Sequence, residues 1–115
     1  MGSYNGLIAQ TTLTSFNGIS YTNAVDTVPS KLFKTAVFSA RVSTQVGGTM
    51  SINVVGAVGG ATFIIAGVTG IRATGNYIMG ITASATYLTP RPIYVQWAGG
   101  ISTLFSARVF IAGDY

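Results

Sequence analysis

Phe38-Ser39-Ala40-Arg41-Val42 alternates apolar and polar side chains, and the same run returns unchanged as Phe105-Ser106-Ala107-Arg108-Val109. A period of two places Phe, Ala and Val on one face and Ser and Arg on the other, the pattern of a half-buried β-strand. The chain is therefore expected to open and close its compact part with two similar strands of one β-sandwich. Strands are expected at 36–45, burying Phe38, Ala40 and Val42; at 49–57, burying Met50, Ile52 and Val54; and at 61–66, burying Phe63 and Ile65. Further strands are expected at 76–83, burying Tyr77, Met79 and Ile81; after Pro90-Arg91-Pro92, burying Ile93, Val95 and Trp97; and at 103–112, burying Phe105, Ala107, Val109 and Ile111. Gly and β-branched residues interrupt every helical window. With an upstream hairpin the total is about eight strands, an all-β antiparallel sandwich of jelly-roll or immunoglobulin-like type.

Residues 1–34 read as an N-terminal arm, rich in Thr, Ser and Asn and ending in a polar connector from Asp26 through Pro29 to Ser30; residues 35–115 form the body. Within the arm, Asn17-Gly18 lies between short alternating stretches, which predicts a two-residue hairpin pairing Phe16 with Ile19 and Thr14 with Tyr21. Of three Gly-Gly pairs, Gly59-Gly60 fits a simple hairpin with Val54 opposite Ile65. A two-residue turn at Gly47-Gly48 or Gly99-Gly100 would set an inward residue against an outward one. Those links need a bulge or an odd loop, or else carry the chain to the opposite sheet.

Charged residues make up only 7% of the 115, against 49% hydrophobic, and the net charge is +4. A surface so poor in charge favours burial against copies of the chain or a larger assembly. The six cations, Lys31, Lys34, Arg41, Arg72, Arg91 and Arg108, form no run of the kind nucleic acid selects, so no direct nucleic-acid contact is expected. The longest apolar run, 63–68, is too short to span a bilayer, and no membrane association is expected. There is no His, Cys or Glu, and the only carboxylate side chains are Asp26 and Asp114. Nucleophilic hydrolysis has no imidazole base, and two carboxylates at remote positions make a poor acid–base pair or metal site, so neither an enzyme nor a cofactor is expected. The Gly-rich stretch 56–61 lacks a following Gly-Lys-Ser/Thr and reads as a hairpin turn, not a phosphate loop.

Candidate partner contacts come from charge and exposure. Arg41 and Arg108 occupy equivalent places in the repeat and face away from the core; if their strands are neighbours they share a face that can bind an acidic surface or a phosphate. Arg91, between two prolines, is expected on a stiff loop. Lys31 and Lys34, with Phe16, Ile19 and Tyr21 of the arm, complete the set. Val37, Val55, Ile64, Ile78, Tyr94, Leu104 and Phe110 are apolar on the outward phase, which implies that the outer face is covered by subunit contacts.

From Thr35 to Tyr115 the chain resembles the small β-sandwich decoration or cement proteins on heads of tailed bacteriophages. The likeness rests on the succession of short strands, on Val54-Val55-Gly56-Ala57-Val58-Gly59-Gly60-Ala61-Thr62-Phe63, on Ile71-Arg72-Ala73-Thr74-Gly75-Asn76-Tyr77 and on Phe105-Ser106-Ala107-Arg108-Val109-Phe110-Ile111. The resemblance implies a non-enzymatic virion protein on the capsid surface, assembled in the host cytoplasm. It would sit over junctions of the major capsid protein, often as a homotrimer with an arm reaching a neighbour. The alternative is a receptor- or glycan-binding module of a phage fibre, using Trp97, Tyr87, Tyr94 and Arg91 as a stacking patch.

Overall fold

In the computed structural model, which describes residues 2–25, 27–28, 33–58, 60–83 and 91–114 (58, 81–83 and 101–103 by backbone alone), all regular structure is antiparallel β. The strands are β1 (Ser3–Asn23), β2 (Thr35–Val46), β3 (Met50–Val58), β4 (Ala61–Ile71), β5 (Gly75–Ala83) and β6 (Arg91–Asp114). They pair first strand with last, second with fifth and third with fourth. β1 follows β6 along its whole length, from Ser3 opposite Asp114 to Asn23 opposite Tyr94, while β2 lies against β5 and β3 against β4. The resulting ribbon is rolled up, so that the second half of β6 also pairs with β2 and its first half with β3.

Divided at their middles, β1 and β6 supply two segments each, and the molecule has two four-segment halves. One half orders as the start of β1, the end of β6, β2 and β5; the other as the end of β1, the start of β6, β3 and β4. This is the order of a jelly roll, the expected antiparallel sandwich. Hydrogen bonding runs unbroken through the long strands, which makes the two halves one continuous sheet folded over its own core. At the far margin Gly80 approaches Ala66 so closely that a Cβ there would lie 3.3 Å from the alanine methyl, so the roll is nearly closed.

The bend in β1 corrects the expected hairpin. Ser15 and Gly18 take positive φ (47° and 126°), and the register slips between Phe16 and Gly18, but the strand continues. Phe16 faces Ser102 and Ile19 faces Ala98, not each other. Positive φ here serves a bulge instead of a turn, because β6 offers a full-length partner that an isolated hairpin would lack. Opposite Gly18, β6 passes Gly99, where a Cβ would strike the side chain of Met50 and lie 2.5 Å from the Thr49 carbonyl. Only a residue without a side chain lets the crossing strand approach so near. The described residues among the first 34 accordingly form no separate arm: Ile8, Ala9, Val28 and Phe33 are buried with the rest of the core.

Gly47 and Gly48, both at φ near +70°, carry the chain from β2 in one half to β3 in the other, the change of sheet that was one of the outcomes register left open. The β3–β4 hairpin begins as expected with Val58 opposite Ala61, although Gly59 itself lies outside the described residues. A register shift then sets Val54 against Ala66 in place of Ile65, so Ala66 is buried and Ile65 only half-buried. Phe63 is 50% exposed rather than in the core, because its partner at the hairpin tip, Gly56, offers no side chain to pack on. Otherwise the inward phases hold. Phe38, Ala40, Val42, Met50, Ile52, Val54, Met79, Val95, Trp97, Phe105, Ala107, Val109 and Ile111 are buried, with Tyr77 and Ile93 half-buried. The side chain of Ile81 lies outside the described residues. Trp97 and Phe105, one from each half, meet edge to face at 6.3 Å and join the two layers.

Candidate functional site

The repeated pentapeptide builds the most distinctive surface. β2 and β6 are hydrogen-bonded neighbours in a register that sets Arg41 directly opposite Arg108, flanked by Ala40 opposite Val109 and Val42 opposite Ala107. Two antiparallel copies of one sequence thus pair about a local twofold centred on the arginines. Opposed Cα atoms in such a pair are about 4.5–5.5 Å apart. On the outer side, Gln10 of β1 lies opposite Arg108 and Asn76 of β5 opposite Arg41, so an exposed row Gln10–Arg108–Arg41–Asn76 crosses four strands.

Arg108 Nε donates to Gln10 Oε1 at 3.2 Å, which holds one guanidinium along the row. Beside it lies a depression walled by hydroxyls, in which Thr12 Oγ1 and Ser106 Oγ are 2.8 Å apart and Ser43 Oγ donates to the Ser106 carbonyl at 3.3 Å. A second depression lies between Arg41, Ser43 and Asn76, and a third, between Arg41, Ile78 and Phe110, is more apolar. Among the described residues neither arginine has a carboxylate partner. Asp114 accepts from Thr35 Oγ1 at 3.2 Å, six residues along β6 from Arg108 and so about 20 Å away.

Apolar side chains are exposed on both halves. On the half carrying the arginines, Val37 is 38% and Ile78 67% exposed, and Ile78 shares the row through Ser39 with the half-buried Phe110 and Leu7. On the other half Ile19 and Tyr21 are each 58% and Ile64 64% exposed. The Tyr21 ring stands edge-on to Tyr94 at 5.4 Å. Tyr94 and Leu104 are half-buried, and Val55, although on the outward phase, is buried between its neighbours Tyr94 and Ile64.

Of the residues singled out from sequence, Arg41 and Arg108 come together, as do Ile19 and Tyr21 two residues apart on one strand. Arg91 is not on a loop: it opens β6 opposite Ala57 and is half-buried, since the strand begins at the residue between the two prolines. Lys34 is exposed and its backbone N–H donates to the Asp114 carbonyl at 2.7 Å, remote from the arginine row, while Phe16 packs on the core. Lys31, Asp26, Tyr87 and Pro90 lie outside the described residues. Trp97 is fully buried, so it belongs to no stacking patch. Gln10, Asn76, Thr12 and Ser43 were missed; each is an ordinary polar strand residue that only the pairing brings to the arginines.

Comparison with known protein families, with characterised proteins and with solved structures finds no match to this chain.

Proposed function

We propose that this protein is a non-enzymatic structural virion protein, a capsid decoration or cement protein that docks on the major capsid protein and on copies of itself, as a homotrimer. The observation that carries the reading is the pair of opposed outer faces with large apolar side chains in water: Ile78 and Val37 on one, Ile19, Tyr21 and Ile64 on the other. A chain with 7% charged residues gains by covering them. The jelly-roll order is also one that viral capsid domains use, which supports the reading as an analogy of fold only.

Mass measurement of the purified protein tests it. At micromolar concentration the expected species is a trimer, and Ile64→Lys is expected to yield monomers that melt as the parent does. A parent chain that stays monomeric and does not sediment with capsids overturns the proposal. Lectins share the same strand order, and the Tyr21–Tyr94 pair keeps a glycan- or receptor-binding module as the second reading. Binding to a glycan array that Tyr21→Ala abolishes would favour that alternative.

A further inference from the structure

The geometry points to the Gln10–Arg108–Arg41–Asn76 row as a binding site for carboxylates of an acidic polypeptide segment on a different protein, laid across the outer face of β1, β6, β2 and β5. This names the chemistry of a docking partner and rests on the docking role proposed above. Two like charges set directly opposite on adjacent strands repel, and nothing among the described residues neutralises them. A carboxylate placed between two guanidinium groups accepts from both, and charge-assisted bonds of this kind are the strong ones. Gln10 and Asn76 extend the row at either end. Of the Thr12 and Ser106 hydroxyls, bonded to each other, one keeps its proton free as a neutral donor beside it.

The composition identifies the occupant. With only Asp26 and Asp114, far apart in the sequence, against six basic side chains, a second copy of the chain carries no acidic run to lay along the row, so the acidic segment belongs to another molecule. A nucleic-acid strand fits less well: only two cations stand in the row, and the ring beside them, Phe110, is half-buried where base stacking needs it open. The apolar face bearing Ile19, Tyr21 and Ile64 is thereby left for copies of the chain, and the arginine face for the foreign partner.

Fluorescence anisotropy with labelled poly-L-glutamate and, in parallel, a labelled single-stranded oligonucleotide of equal length tests the assignment on the whole chain. Poly-L-glutamate is expected to bind more tightly than the oligonucleotide at the same salt. Arg41→Gln/Arg108→Gln is expected to weaken binding at least tenfold while melting at or above the parent temperature. Arg108→Lys, which keeps the charge and loses the planar fork, is expected to weaken it several-fold and serves if the double variant does not fold. Binding retained within twofold in the double variant, or an oligonucleotide bound more tightly than poly-L-glutamate, overturns the inference. Trimers that ignore poly-L-glutamate would overturn the acidic partner alone; a monomer that binds it would overturn self-association alone.

Discussion

The Trp97 indole is enclosed, and its Nε1 donates to Thr22 Oγ1 at 2.9 Å, so the largest core side chain has its one polar atom satisfied across the β1–β6 ribbon. Thr22→Val leaves that donor unpaired and is expected to cost about 1–3 kcal/mol in urea unfolding. In the folded parent, acrylamide is expected to quench Trp97 emission weakly; strong quenching would place the ring in water. Phe105, fully buried and against Trp97, is expected to cost about 3–5 kcal/mol as Phe105→Ala. The arginine pair predicts a change of opposite sign. Arg41→Gln is expected to raise the melting temperature slightly at low ionic strength, with the gain fading as salt screens the repulsion.

Strand by strand, much of this molecule can be read locally, because side-chain phase depends on neighbours two residues away. That is why Phe38, Val42, Ile52, Val95, Trp97 and Val109 are inward both by pattern and in the structure. Pairing is not local. Asn17-Gly18 carries the same signal whether it turns a hairpin or bends a long strand, and the outcome is decided by β6, some eighty residues on. The repeat likewise marks Arg41 and Arg108 as equivalent, but their juxtaposition follows only once β2 and β6 are neighbours, and Gln10 and Asn76 carry no signal in one sequence. Close approach between strands sets a further expectation. A Cβ on Gly113 would lie 2.7 Å from the Thr35 carbonyl and 2.8 Å from Phe33 Cδ1, so Gly113→Ala is expected to destabilise by about 1–3 kcal/mol in thermal or urea melts.

Across the whole molecule, the first strand completes the last, so folding must join distant parts of the chain. Refolding is expected in the millisecond-to-second range by stopped-flow fluorescence, as for other folds dominated by long-range pairing. Deletion of residues 1–23 would strip β6 of a neighbour along nearly its whole length and remove Ile8 and Ala9 from the core. The shortened chain is expected to lose its cooperative melt, whereas a detachable tether would leave the melt unchanged. Ser3 opposite Asp114 has a practical corollary. Probes attached at the one and at the other sit side by side, roughly 5 Å apart. Donor and acceptor fluorophores added there would transfer energy efficiently while the roll is intact, and a drop in transfer would time its opening.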